Sequence, residues 1–324
     1  MYSFIELQNT INNEIRQLEF GNNPSELYQP ISYTIDAGGK RMRPILVLAA
    51  CNLFSDNIKI AISPALAMEV FHNFTLLHDD LMDKAEVRRN RPTVHKKWND
   101  NIAILSGDAM LIKAYQLIVK APSKNLAPII ELFNQTALEV CEGQQYDMNF
   151  EERTDVSEDE YIEMIRLKTS VLVAASLKIG ALCADANEKD AQNLYDFGVN
   201  LGLAFQLQDD YLDTYGNPDT FGKKIGGDII ANKKTYMLIK AQELAKGEQA
   251  ETLKLLITKN SVAPDEKINK IIQIYNNLNI KMLVKDKMNF YYQLAIDSFN
   301  SVNVDAEKKS VLKDLANKLM ERES

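Results

Sequence analysis

The sequence is sparing in cysteine: three among 324 residues, Cys51, Cys141 and Cys183, far apart, odd in number and without metal-ligand spacing. That excludes a disulfide scaffold or a zinc module and leaves buried thiols in a reducing compartment. Continuous apolar runs are short. None approaches the roughly 18 residues of a membrane span. The opening M-Y-S-F-I-E-L-Q-N-T lacks the basic and apolar regions of a secretion signal, so a cytoplasmic location is expected. Basic charge is in deficit, with 37 Lys and Arg against 45 Asp and Glu and a net charge of −8, which argues against nucleic acid or an anionic membrane as partner. Histidine is scarcer still. His72, His78 and His95 are the three present, and no nucleophilic triad can be assembled around them. Pro- or Ser-rich linkers and strand-like alternation are also missing.

What remains is helical periodicity. Apolar spacing predicts helices over 2–19, 43–53, 63–83, 102–120, 126–147, 159–183, 189–215 and 232–244, with more beyond. Turn chemistry at A-G-G-K (37–40), A-P-S-K-N (121–125), G-N-P-D (216–219) and F-G-K-K-I-G-G-D (221–228) separates them. The fold class expected is all-α: a single helical domain over residues 1–324, the alternative being a boundary near 246–258.

Against this background two acidic clusters stand out. L-L-H-D-D-L-M-D (76–83) and Q-L-Q-D-D-Y-L-D (206–213) share the spacing D-D-x-x-D. Asp79 and Asp83, like Asp209 and Asp213, are i, i+4 pairs on one helix face. A single such motif reads more readily as solvated surface. Two observations weigh the other way. The same faces continue upstream as His72 and Thr75, and as Gln206, which marks polar stripes on core-forming helices and suggests a lined cavity. Two facing clusters would also repel unless cations lay between them. All-carboxylate ligands suit hard ions. No calcium loop is present, whereas Mg²⁺ takes one or two carboxylates and completes its shell with water and substrate phosphates. A diphosphate held by Mg²⁺ is the expectation.

The basic residues are placed accordingly. K-A-E-V-R-R-N-R-P-T-V-H-K-K (84–97) carries six Lys or Arg against one Glu, and Arg88 and Arg89 form a pair able to fork onto phosphates. G-G-K-R-M-R-P (38–44) would project Lys40 and Arg43 from a helix mouth, with Pro44 in the first turn. G-K-K-I-G-G-D-I-I-A-N-K-K-T (222–235) reads as a lysine-bearing flap. A clamped diphosphate is a good leaving group, and its loss from an allylic carbon gives a stabilised cation that a second double bond attacks.

These motifs, in this order and joined by S-G-D (106–108), E-G-Q-Q-Y-D (142–147) and K-T-S (168–170), resemble the trans-prenyltransferases. Those polyprenyl diphosphate synthases join isopentenyl diphosphate head to tail to allylic diphosphates such as the dimethylallyl, geranyl and farnesyl esters. The resemblance runs from about Gly38 to Thr235. It implies a large helical bundle around a central cavity, a homodimer, and about three Mg²⁺ ions bound with the allylic diphosphate. Position by position, it implies metal binding by Asp79, Asp80, Asp83, Asp209, Asp210 and Asp213, with Asp79, Asp83 and Asp209 the foremost ligands. The allylic diphosphate falls to Arg88, Lys168, Lys223 and Lys233, and isopentenyl diphosphate to Lys40, Arg43, His72 and Arg89. Thr169 and Gln206 would set oxygen dipoles near the cation, beside Lys168. Either Lys223 or the adjacent Lys224 fits the flap position. Asn90 departs from the family's usual glycine after the arginine pair, mildly, because asparagine tolerates left-handed backbone.

Chain length is read from Phe74, about 7.5 Å back along the helix from Asp79, with Thr75 beside it. One aromatic there and no insertion in the first aspartate motif resemble the geranylgeranyl (C20) pattern, with farnesyl (C15) next. The rival for Phe74 is an ordinary core residue. Three other classes fit less well. A terpene cyclase normally carries N-D-x-x-S-x-x-x-E as its second metal site, a squalene-type synthase has different acidic motifs, and a regulatory subunit has usually lost aspartates or basic residues.

Overall fold

The computed structural model describes residues 1–216, 225–258 and 262–320. In chain order its elements are α1 (Phe4–Arg16), α2 (Ser25–Ile35), α3 (Met42–Phe54), α4 (Ile62–Met82), β1 (Val87–Arg88), β2 (Arg91–Pro92), α5 (Val94–Lys97), α6 (Asp100–Ile118), α7 (Leu126–Glu152), α8 (Glu158–Ile165), α9 (Val171–Cys183) and α10 (Glu188–Tyr215). There follow α11 (Gly227–Ile230), α12 (Tyr236–Leu244), α13 (Glu248–Thr258), α14 (Pro264–Asn277), α15 (Ile280–Asn300) and α16 (Ser310–Met320). Helix α2, the two strands and the short helices α5 and α11 lie outside the expected pattern. Helix α2 holds Pro30 within it, which blurred its period. The two-residue strands form a small antiparallel hairpin inside the basic segment.

The chain forms two compact units. The first comprises residues 1–134, 175–194 and 302–312. Its centre is α3, where every residue from Pro44 to Leu53 is buried. A helix apolar on all sides belongs inside. Helix α4 packs against α3, α6, α1 and α2. Together with the turn before it (Ile58–Met82), α4 is long and apolar enough to cross a membrane, closer to a span than run length alone implied. However, 67% of that window is buried in the protein, as befits a core helix. Close approach depends on two glycines. A side chain at Gly107 of α6 would run into the His78 ring, and one at Gly180 of α9 into the Val47 carbonyl of α3.

The second unit comprises residues 135–174, 195–301 and 313–324, so the 246–258 segment is internal to it. Its core includes Phe150, Tyr161, Leu207, Tyr236, Tyr275 and Val284. Between α8 and α9 the helix widens into a π-turn, Arg166–Ser170. Such turns insert one residue per turn and often mark functional sites. Gly143 of α7 lies against the Lys168 backbone and Gly202 of α10 against Ser170, so both glycines make room for the wider turn.

Candidate active site

In the first unit the aspartates of α4 split by environment. Asp79 is half-buried, Asp83 exposed at the helix end, and Asp80 buried. The Asp80 carboxylate accepts a hydrogen bond from Arg88 Nε at 2.7 Å. Burial raises its pKa, and the Arg88 charge opposes that shift. Arg88 stands on β1, and the turn beyond it is Arg89–Asn90, both left-handed at φ 51° and 60°. Two such residues between paired strands make a type I′ turn, so Asn90 serves where glycine is usual. The turn aims the Arg89 guanidinium at the 38–40 loop, where it donates to the Gly38 carbonyl and lies over Gly39. Gly39 sits at φ 133°, a backbone conformation that suits glycine.

Arg43 and His72 meet in the same unit, Arg43 Nη1 to His72 Nε2 at 2.9 Å. Burial first, and then the charges of Arg43, Arg89, Arg88 and Arg41, depress the His72 pKa well below its ordinary value. Burial also lowers Arg43, to about 10, against the pull of Glu69. Arg43 is therefore packed against His72 rather than projecting freely, while Lys40 is exposed at the loop. Pro44 sits in the first turn of α3 as expected. A shallow recess open to solvent is lined by Asp80, Arg88, Arg89, Arg91 and Tyr33 among others. Phe74, 9% exposed, lies between Phe71, tilted against it with ring centroids 5.5 Å apart, and His78, which it meets edge-on at 4.8 Å. Thr75 bonds back to the His72 carbonyl. His78 is spent on the Ile104 carbonyl, and both ring nitrogens of His95 are buried without a partner.

The second unit holds a parallel arrangement. Asp209 and Asp213 are half-buried and Asp210 is buried, bonded to the Tyr161 hydroxyl and, at 3.1 Å, to Gln206 Nε2. Burial and the Asp228 charge push the Asp210 pKa up to about 7. Gln206 also accepts from Thr169 Oγ1 at 3.3 Å, so the π-turn, α10 and α8 share one hydrogen-bonded chain. Lys168 pairs with Asp147 at 2.5 Å. The Asp213 carboxylate accepts from the Asp228 backbone N–H at 2.9 Å, at the start of α11. Lys233 is exposed and its charge acts on Asp210. The flap's base is anchored by Lys267, which donates to Asn232 Oδ1 at 2.7 Å and to the Ile230 carbonyl. Lys223 and Lys224 lie outside the described residues.

Asp147, Tyr161, Lys267, Arg41 and Glu69 are the residues sequence reading passed over. Asp147 and Arg41 carried a signal, as the last residue of E-G-Q-Q-Y-D and the middle one of G-G-K-R-M-R-P.

Among the described residues no three His, Cys, Asp or Glu side chains are gathered to hold an ion by themselves. Mg²⁺ needs no such cluster, because it takes one or two carboxylates and completes its shell with water and phosphate oxygens. The donors offered by Asp79, Asp83 and Asp209 are hard carboxylate oxygens, and they fit it.

Comparison with known proteins agrees with this chemistry. Residues 24–275 match the polyprenyl synthetase family model. The geranylgeranyl diphosphate synthase of Sulfolobus acidocaldarius is 38% identical over 306 residues, covering 93% of this chain and 91% of its own. A geranylfarnesyl diphosphate synthase from Natronomonas pharaonis is 32% identical over 323 residues, covering 92% and 91%. A crystal structure of a geranylgeranyl pyrophosphate synthase superposes with a TM-score of 0.95 at 43% identity, covering 100% of both chains. The chain belongs to the polyprenyl synthetase family and has its all-α isoprenoid synthase fold. It is a prenyltransferase.

Proposed function

We propose that the protein condenses isopentenyl diphosphate head to tail with allylic diphosphates, in a Mg²⁺-dependent reaction whose main product is geranylgeranyl diphosphate. The observation that carries this reading is the first unit's pairing of an outward Asp79/Asp83 carboxylate pair with a cluster of Arg43, His72, Arg88 and Arg89. Carboxylates for a hard ion and arginine forks for phosphate are the two needs of a bound diphosphate.

Asp79, Asp83 and Asp209 hold the ions, and Asp80, Asp210 and Asp213 support them. When bound, Mg²⁺ neutralises the allylic diphosphate and stabilises it as a leaving group. Arg88, released from Asp80, takes that diphosphate together with Lys168, Lys233 and the flap lysine at 223 or 224. Lys40, Arg43, His72 and Arg89 take isopentenyl diphosphate. Thr169 and Gln206 turn their oxygen dipoles toward the developing cation, fixed by the bond between them. No side chain is assigned the last proton; the departed diphosphate accepts it.

C20 is supported by Phe74 and by the similarity to geranylgeranyl synthases, with C15 the alternative. The relative named for a geranylfarnesyl product makes C25 a further outcome to watch. We also propose a homodimer. Leu105, Ile112 and Val119, seven residues apart on α6 and its end, are 59%, 59% and 48% exposed, an apolar stripe suited to a second copy. Light scattering on the purified protein tests it.

The decisive experiment incubates the protein with Mg²⁺, isopentenyl diphosphate and a C5, C10 or C15 allylic diphosphate, and reads the products by mass spectrometry. Mostly C20 upholds the proposal. Mainly C15 or C25 keeps the reaction and rejects the chain length. No elongation by folded protein rejects the reaction in favour of a cyclase or a non-catalytic subunit.

A further inference from the structure

Arg41 is one of few buried arginines, and it does not face the recess. It precedes α3 in a left-handed conformation (φ 53°, ψ 36°) and is 7% exposed. Its Nη1 donates to Glu69 Oε1 at 2.6 Å and its Nη2 to the Ile35 carbonyl at 2.7 Å, at the end of α2. The same Glu69 oxygen accepts from Asn73 Nδ2 at 2.9 Å, and Asn73 also donates to the Glu69 carbonyl. One side chain therefore ties both ends of the Asp36–Lys40 loop, to α2 before it and to α4 behind it. Lys40 is the residue just before Arg41 and Arg43 two residues after. His72 lies next to Asn73, and Arg89 leans on the loop's Gly38.

We infer that Arg41, Glu69 and Asn73 form a positioning triad for the isopentenyl diphosphate site. The triad sets the loop so that Lys40, Arg43, His72 and Arg89 converge, without touching substrate itself. This rests on the reading of those four residues given above. Two physical points favour positioning over plain stability. A buried ion pair is a poor source of stability, since apolar replacements of similar volume are often neutral or better. A left-handed arginine is itself strained, and such strain persists where surrounding structure fixes it for function. The Glu69 charge also offsets the mutual repulsion of Arg41, Arg43 and Arg89.

The test compares Glu69→Gln, Arg41→Met and the double variant Arg41→Met/Glu69→Met with wild type, by melting temperature and by steady-state kinetics with each substrate varied. Removing the triad is expected to raise KM for isopentenyl diphosphate about tenfold or more while KM for the allylic substrate and kcat change by less than about threefold. The double variant, with its buried charges removed together, is expected to recover most of the melting temperature and none of the KM. A double variant with wild-type melting temperature and wild-type KM would overturn the inference. So would equal losses on both substrates in Glu69→Gln, assayed well below its melting temperature with native helix content checked by circular dichroism. Arg43→Met serves as the reference. If it leaves the isopentenyl diphosphate KM unchanged, the site reading itself fails. If it raises that KM while Glu69→Gln does not, only the triad fails.

Discussion

Arg43 and His72 stand 2.9 Å apart, and arginine has only donors, so His72 Nε2 is the acceptor and the imidazole is neutral. Burial and four arginine charges hold it that way by lowering its pKa. The site thus keeps its cations on arginine and uses histidine as a hydrogen-bonding spacer that adds no further repulsion.

A pH dependence follows with a definite sign. Unfolded, His72 titrates near its ordinary pKa of about 6.5. Folded, its pKa is lower, so between the two values the unfolded chain binds more protons. Stability from this group is complete above about pH 6.5 and is lost as pH falls through the folded pKa. Urea denaturation between pH 7.5 and 5 is expected to show this loss, and His72→Gln to flatten it. NMR of the substrate-free protein should find the His72 ring neutral at pH 6; a normal titration there would contradict the geometry.

The buried aspartates are expected to behave unlike their neighbours. Asp79→Asn and Asp209→Asn should raise the Mg²⁺ concentration required and lower kcat by about a hundredfold or more, as losses of electrostatic stabilisers do. Asp80→Asn should leave the Mg²⁺ requirement close to wild type and act through Arg88, its partner at 2.7 Å, on KM for the allylic substrate. Rates measured across a Mg²⁺ titration separate the two. If Asp80→Asn shifts the Mg²⁺ curve as Asp79→Asn does, then Asp80 leaves Arg88 to bind metal during turnover.

The π-turn offers a backbone test. A methyl group added at Gly143 would sit 2.7 Å from the Lys168 Cα and 2.8 Å from the Leu167 carbonyl carbon, and backbone cannot swing aside. Gly143→Ala is therefore expected to displace Lys168 and Thr169, lowering kcat by about tenfold to a hundredfold, as misplaced catalytic groups do. Circular dichroism should show helix content unchanged. Wild-type turnover in that variant would mean that the turn shifts freely and does not place Lys168.

Much of this was legible beforehand because it is local. Apolar spacing located Met42–Phe54 and Glu188–Tyr215 within a residue at each end, and the aspartate clusters announced themselves by an arrangement that helix stability disfavours. The unread parts are those where sequence neighbours say nothing. The hairpin of Val87–Pro92 is two residues deep on each side, too short to alternate. A π-turn is one inserted residue with no composition of its own. Tyr161 meets Asp210 across 49 positions, and Arg41 meets Glu69 across 28, pairings that only the packed fold creates. Which aspartate of each D-D-x-x-D turns inward was likewise decided by packing, not spacing.

Product length is where core and function compete for one side chain. Phe74 is 9% exposed, with Phe71 behind it at 1% and Phe133 beyond Phe71. This row of rings makes Phe74 the outermost aromatic before His78. If it floors the tail pocket, Phe74→Ala should shift the products from C20 toward longer chains while the first condensation proceeds near the wild-type rate. Phe71→Ala should not lengthen them, because Phe74 still covers the gap it leaves. Both deletions cost stability, about 3–5 kcal/mol for a buried phenylalanine, so the assays belong well below the melting point of each variant. Phe74→Leu, a smaller loss, is expected to give an intermediate distribution. Products read by mass spectrometry decide it. Lengthening in Phe74→Ala and, more weakly, in Phe74→Leu, but not in Phe71→Ala, identifies the floor, whereas an unchanged distribution in all three variants returns Phe74 to the core and leaves another wall of the cavity to set chain length.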